Sequence, residues 1–443
     1  MSVRSQPSEK VDPAPLGQPL QFEFSGKVAK NRFLKGAMSE LQASWDSKDL
    51  TKRGMPPKEL VELYRRWGEG GYGVILLGNT MIEYDQLENA GNHIIPRDAP
   101  FSGERFERFK EIAAASKAHG SLVYPQLSHP GRQVQEYIQP NPISASDVQL
   151  VGSAFGSFAK PRPMEKEDFE NVINGFAHAA EYCYKAGFDG VQLHGAHGYL
   201  LAQFLAPSTN RRDDEYGGPL KNRSKIIFDI TKAIRARVPD KSFSLAIKLN
   251  SAEFQKGGFS PEECRELCAE LEKSGFDWVE LSGGTYESLA FEHKRESTVK
   301  REAFFIEFAE MIVPELKKTK AYVTGGLRTA AGMVKALESV HGVGLGRPAA
   351  HEPALPQKIL DGVVEGAIKP LLDENNFMLT NMAATTQMKL VGQGYEPLDF
   401  SRPDHVKVFN EALGKWMELS KLKGPQGPPT IEGFELKPYG TAY

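Results

Sequence analysis

Cysteine is scarce in this chain of 443 residues: Cys183, Cys264 and Cys268 are all it has. Three thiols with no CxxC pair cannot build a disulfide framework, a structural zinc site or the ligand set of an iron–sulfur cluster. Cys264 and Cys268 stand four apart on an expected helix, and two small residues packing in a reduced core is a plainer reading than a metal clip. Also missing is any apolar run long enough to span a bilayer, and the first twenty residues hold no apolar signal core. The expectation is a soluble, cytoplasmic protein without a membrane partner. Nor does one sign of charge dominate: 54 Lys and Arg face 57 Asp and Glu, a net charge of −3. The basic residues are scattered, with no face or arm to track a polyanion, so nucleic acid is not an expected partner.

What the chain does have is a succession of short apolar runs. FLKGAMS (33–39), GYGVILLG (71–78), SLVYPQL (121–127), DGVQLHG (189–195), SFSLAIKL (242–249), DWVELSGG (277–284), AYVTGGL (321–327) and HGVGLG (341–346) read as eight strands. Most are nearly continuous in apolar residues, as expected of parallel strands covered on both faces. Helical patterns lie between them. Phe169, Val172, Ile173, Phe176, Ala177, Ala180 and Tyr184 make one stripe at steps of three and four. Ser260 before Pro261 reads as a helix start, and 57–67 and 101–118 read as further helices. KAGFDGVQLHG (185–195) returns as KSGFDWVELSG (273–283), as though one βα unit were reused. Eight strands alternating with helices predict an α/β fold, a closed (β/α)8 TIM barrel; no G-x-G-x-x-G follows the first strand to favour a dinucleotide fold.

Around the barrel, assigned to 21–365, three segments are expected. Residues 1–20, rich in Pro, Ser and Gln, read as a flexible arm. An insertion after strand 3, 130–164, reads as a lid or hairpin at the catalytic face. A C-terminal extension, 366–443, with a helix over 403–422 and a Pro/Gly-rich tail, reads as packing on the barrel or on a subunit partner, as in a homodimer.

Working residues of such a barrel sit at the C-terminal ends of its strands. In order these are Ser39, Asn79, Gln126, His194 with His197 and Tyr199, Lys248, Gly325–Gly326 and Gly346–Arg347. Loops after strands seven and eight commonly grip a phosphate, and Arg347 beside Gly346 supports that over simple tight turns. His194 and His197 alone could ligate a metal, sit as core histidines, or donate together to one substrate oxygen; no further ligand signature marks the other strand ends. Lys248 within an apolar strand needs an anionic partner, and a reduced flavin, negative near its pyrimidine ring, would be one. Gln126 offers the mixed donors and acceptor that a ring edge of alternating polarity requires.

NRFLKGAMS (31–39), PQLSHPGR (125–132), HGAHGYLLAQFLAPSTNRRDDEYGG (194–218) and GLGRP (344–348) resemble the Old Yellow Enzyme family of FMN-dependent ene-reductases, over roughly 20–365. The resemblance implies hydride transfer from NADPH or NADH through flavin N5 to the β-carbon of an activated alkene (enone, enal or nitroalkene). It places Gly36, Ala37, Met38 and Ser39 against the flavin and Gln126 on its pyrimidine edge. His194 and His197 would bind the activating oxygen, Tyr199 would protonate the α-carbon, and Gly325, Gly326, Gly346 and Arg347 would hold the phosphate. This chain departs from the family in four places. Lys248 stands for an arginine, a point charge in place of a planar fork. Ser39 stands for threonine or cysteine, Asn79 for a small residue, and Glu40–Leu41 where some relatives have a tyrosine. A metal-dependent barrel hydrolase or aldolase using the histidine pair, and a flavin-binding barrel without catalysis, are the rival readings.

Overall fold

A computed structural model describes residues 2–153, 156–253, 257–283, 306–422, 434–436 and 442–443. Most of the expected Pro/Gly-rich tail, residues 154–155 of the insertion and Gly284 of the sixth apolar run lie outside them. All eight expected runs form strands: β1 (Phe33–Lys35), β2 (Val74–Met81), β3 (Leu122–Ser128), β4 (Gly190–Gly195), β5 (Ser244–Ala252), β6 (Trp278–Gly283), β7 (Lys320–Thr324) and β8 (Gly342–Leu345). They pair in parallel around a closed barrel, β8 returning to β1. The barrel helices are α1 (Lys58–Glu69), α2 (Gly103–Lys117), α3 (Lys166–Lys185), α4 (Leu200–Leu205), α5 (Lys225–Arg237), α6 (Pro261–Lys273), α7 (Ile306–Ile312), α8 (Ala330–Ala336), α9 (Arg347–His351) and α10 (Leu355–Leu360).

Side chains alternate across each strand, so every second one points into the barrel. Its lower layer is apolar: Leu34, Val74, Leu76, Tyr124, Ala246, Trp278 and Tyr322 pack together under Leu20 and Phe22. Large and small residues share that space. A Cβ on Gly190 would stand 2.5 Å from the Tyr124 ring, and one on Gly342 would stand 2.2 Å from that of Tyr322. On the helix side, α3 buries Phe169, Val172, Phe176, Ala177 and Ala180, but Tyr184 is 40% exposed and bonds Asp240 at the surface. Ser260 and Glu263 close a reciprocal capping box at the start of α6, with Pro261 in the first turn. All three cysteines are unpaired and buried.

The three flanking segments each bond to the barrel. Residues 2–20, expected as a flexible arm, are anchored to the rest of the chain at several points. Leu20–Gln21 pairs with Val28–Ala29, Leu16 is fully buried, and Arg4 reaches Glu352 at 2.8 Å. Their polar composition misleads because a few anchors, Arg4, Leu16 and Leu20, find partners on the barrel and the extension. Among its described residues the insertion holds no antiparallel hairpin: Ile143–Ser144 pairs in parallel with Arg162–Pro163. One side chain of α4 staples it down. The Gln203 carboxamide accepts from Ser144 Oγ at 2.7 Å and donates to Pro130 O at 2.9 Å and Gly198 O at 2.7 Å. The extension contributes α11 (Phe377–Gly392) and α12 (Pro403–Leu422) and a small apolar core of its own around Leu390, Leu398, Phe400 and Phe409. Trp67 of α1 donates to Ala349 O of α9 at 2.9 Å, locking together two helices beside α11.

Candidate active site

One pleat repeat, two residues, further along each strand the inward layer turns polar. Gln126 follows Tyr124, Lys248 follows Ala246 and Glu280 follows Trp278. These are linked by Gln192 into one chain of bonds across β3 to β6. Gln126 Nε2 donates to Gln192 Oε1 at 2.6 Å, Gln192 Nε2 donates to Glu280 Oε2 at 2.8 Å, and Lys248 Nζ donates to Glu280 Oε1 at 2.9 Å. Glu280 is fully buried and Lys248 5% exposed. A buried ammonium without a counter-charge is costly, and here Glu280 meets that need. The anionic partner that Lys248 needs is thus supplied, in this structure, from within the protein.

Beside this chain lie the histidines. His194 ends β4, and His197 follows in a left-handed backbone conformation, φ 57°, next to Gly198 at φ 74°. A non-glycine residue held there stores strain; the His197 N–H bonding Asn250 Oδ1 at 3.1 Å helps to fix it. His194 Nε2 lies 3.0 Å from His197 Nδ1, and the Tyr199 ring sits 4.4 Å from that of His194. The directions of these bonds follow from groups that can only accept. Glu88 Oε2 takes Asn79 Nδ2 at 2.6 Å, which turns Asn79 Oδ1 toward His194 Nδ1 at 2.7 Å. His194 therefore carries its proton on Nδ1, His197 Nδ1–H donates to His194 Nε2, and His197 Nε2 accepts from Ser282 Oγ at 3.1 Å. Ser128 Oγ, 3.3 Å from His194 Nδ1, can donate to the other tautomer. Burial, with Lys248 nearby, lowers the His197 pKa to about 3 and holds His194 well below the ordinary value, so both rings are neutral.

Ser39, expected against the flavin, donates to Glu88 Oε2 at 2.5 Å. Glu40 is drawn into the interior, where it accepts from Tyr64 and from Gly78 N at 3.0 Å. The glycines of the opposite rim directly follow the ends of β7 and β8. Gly325 (φ 147°) and Gly326 (φ 75°) leave β7 in conformations that favour glycine. Gly36 N bonds Leu345 O at 2.9 Å, and a Cβ on Gly346 would meet open space. Arg347 Nη1 donates to Thr380 Oγ1 of α11 at 2.7 Å, tying the extension to this rim. The expected residues at the strand ends thus form three groups: Asn79, His194, His197 and Tyr199 with Ser39 on one flank, Gln126 with Lys248 through Gln192 and Glu280, and the rim of Gly325, Gly326, Gly346 and Arg347. Ala37 and Met38 pack partly buried against the barrel core.

The NADH:flavin oxidoreductase / NADH oxidase family model matches residues 15–365. The chain belongs to that family. NADH-dependent flavin oxidoreductase nadA of Aspergillus parasiticus is 47% identical over 431 residues, 96% of this chain and 97% of its own. NADH-dependent flavin oxidoreductase iccE of Talaromyces variabilis is 35% identical over 76% of this chain and 84% of its own. Among solved structures, the Old Yellow Enzyme homologue from Zymomonas mobilis superposes with a TM-score of 0.66 at 23% identity, covering 80% of this chain and 94% of that one. Morphinone reductase gives 0.64 at 22%, covering 80% and 91%. This flavin oxidoreductase is therefore an Old Yellow Enzyme-type barrel that uses FMN, with a reduced nicotinamide as reductant.

The mouth of the barrel fits FMN on its own terms. Thr324 Oγ1, buried at the end of β7, has no partner among the described residues. Beside it the bare backbone of Gly346 leaves room for a close-lying group, while Gln126 and Lys248 supply an amide and a cation across the barrel. Residues that sequence reasoning missed are Glu280, Gln192, Glu88 and Ser282. A signal for Glu280 was present: an acid within a continuous apolar run demands a partner as much as Lys248 does.

Proposed function

We propose that this oxidoreductase reduces an activated alkene, binding its carbonyl or nitro oxygen through His194 and His197 and protonating its α-carbon from Tyr199. The supporting observation is the convergence of His194 Nε2 and His197 Nδ1, 3.0 Å apart, with Tyr199 packed beside them. Bound FMN supplies the hydride, received from NADH and delivered to the β-carbon. His197 Nδ1–H is the donor that turns from its neighbour to an incoming oxygen. His194 Nε2 becomes the second donor when its proton shifts and the Asn79 Oδ1 that now accepts from Nδ1 turns away, leaving Ser128 Oγ to donate there. Two neutral donors aimed at the oxygen draw electron density from the alkene as negative charge develops there. A phenol is a weak acid, so Tyr199 holds its proton until carbanion character develops and then releases it. Asn79 Nδ2, 3.5 Å from Tyr199 Oη, can donate to the phenolate left behind. Gly36, Ala37, Met38, Ser39, Asn79, Gln126 and Lys248 would line the ring system, and Gly325, Gly326, Gly346 and Arg347 the phosphate.

Tyr199→Phe tests the reading. Stopped-flow reoxidation of the reduced flavin by an enone slows by about 10²-fold or more, the worth of a positioned acid, while reduction by NADH keeps its rate. Equal slowing of both half-reactions would remove Tyr199 as proton donor.

A further inference from the structure

The buried carboxylate of Glu280 lies under the mouth, in no contact that the proposed chemistry uses. Its two oxygens are both committed, Oε1 to Lys248 Nζ at 2.9 Å and Oε2 to Gln192 Nε2 at 2.8 Å. Because a carboxylate only accepts, Gln192 must present its Nε2 to Glu280 and its Oε1 to Gln126, and Gln126 must then spend an N–H on Gln192, at 2.6 Å. The polarity of both carboxamides is thus set from one end. Lys248, meanwhile, brings a positive charge to the mouth whose field is largely cancelled by an anion that no solvent screens, Glu280 being fully buried.

We infer that Glu280 is a positioning residue for FMN with two separate effects: it holds down the flavin's reduction potential by neutralising Lys248, and it strengthens binding by turning the Gln126 carbonyl oxygen toward the N3–H of the pyrimidine ring. The inference rests on the placement of Gln126 and Lys248 at that edge. Reduced flavin carries negative charge near its pyrimidine ring, so an uncompensated Lys248 would favour it and raise the potential. With Glu280 ionised the local charge sums to zero, and reduction draws little help from this side.

Charge-sum logic gives a test that requires no alkene substrate. The midpoint potential of the bound flavin is measured by dye-equilibrated reductive titration of the reconstituted holoenzymes. Glu280→Gln leaves a net positive site and raises the potential, a tenfold shift in the oxidised-to-reduced ratio being about 30 mV for a two-electron couple. Lys248→Met leaves a net negative site and lowers it by a similar amount. The double variant, again neutral, returns close to the parent value and keeps a folded barrel even if Glu280→Gln alone does not, because a buried pair replaced by neutral groups is often tolerated. Gln192→Leu, which frees the Gln126 amide without changing charge, weakens FMN binding several-fold and leaves the potential in place. Opposite shifts that cancel in the double variant support the inference; a purely structural role would not give them. A potential unmoved by Lys248→Met would overturn the placement itself, whereas a response to Lys248→Met with none to Glu280→Gln, or a double variant that keeps the Lys248→Met shift, would overturn the role of Glu280 alone. Unchanged FMN affinity in Gln192→Leu would remove the control of Gln126.

Discussion

The lower and upper inward layers of this barrel are built on the same strands, one pleat repeat apart, and obey different physics. Below, Tyr124, Trp278 and Tyr322 fill the cylinder against the gaps left by Gly190 and Gly342, so shape and apolar burial set what fits. Above, Gln126, Gln192, Lys248 and Glu280 fill it with groups whose fit depends on which atom donates and which accepts. A side chain in the lower layer can be replaced by another of similar volume. One in the upper layer cannot change without turning its neighbours' dipoles. Stability resides mainly in the first layer and chemistry in the second, and the rigid lower layer holds the upper one in register.

Substitutions in each layer sharpen this contrast. The largest effect expected is on stability in the lower layer: Trp278→Ala, which empties a fully buried site, costs about 3–5 kcal/mol. The thermal midpoint falls accordingly, while holoenzyme that remains folded keeps its flavin potential. Next comes His194→Ala in the upper layer. Turnover with an enone falls by about 10²–10³, the usual loss of one oxyanion donor, and phenol binding read by charge-transfer absorbance weakens, with little change in the thermal midpoint. A large drop in midpoint for His194→Ala, or a shifted potential for Trp278→Ala, would break the division between layers.

How far the two layers were legible in the sequence differs in the same way. The lower one, and with it the fold, shows in runs such as GYGVILLG and SLVYPQL, since burial on both faces imposes apolar character residue by residue. Strand ends pointed to His194, His197, Lys248 and Gln126 as polar exceptions. Their partners were not legible, because a hydrogen bond between strands depends on register, which a strand's own composition does not contain. The repeat at 185–195 and 273–283 held part of the answer. Gln192 and Glu280 occupy equivalent positions in it, 88 residues apart, and alternate strands of such a barrel contribute to one layer, so the repeat places the two side by side. Glu88, on a loop after β2, and the tying of residues 2–20 to the extension left no periodic trace at all.

Acid should also separate the layers, by the smallest of these effects. The lower layer's tyrosines stay neutral at any ordinary pH, since burial raises both Tyr124 and Tyr322. Histidines near the upper layer and its loops are different: burial lowers His129 and His197 to about 3, so the fold holds them uncharged. In the unfolded chain each takes up a proton below about 6.5. Between 6.5 and about 3 the unfolded state therefore binds more protons, and stability present above 6.5 is lost as pH falls. Glu83, pushed up to about 7 by burial, acts in the opposite sense but is common to any pair of variants compared. His129→Asn isolates one share of the loss, because it can keep an acceptor for the Gly131 N–H, now bound to His129 Nδ1 at 3.0 Å, while removing the titrating ring. From pH 7 to pH 5, above the range where most carboxylates titrate, the thermal midpoint of the parent should fall further than that of His129→Asn. Parallel curves would mean that His129 takes up its proton in the folded protein as readily as in the unfolded one, and that the loop after β3 is not sealed as its burial indicates.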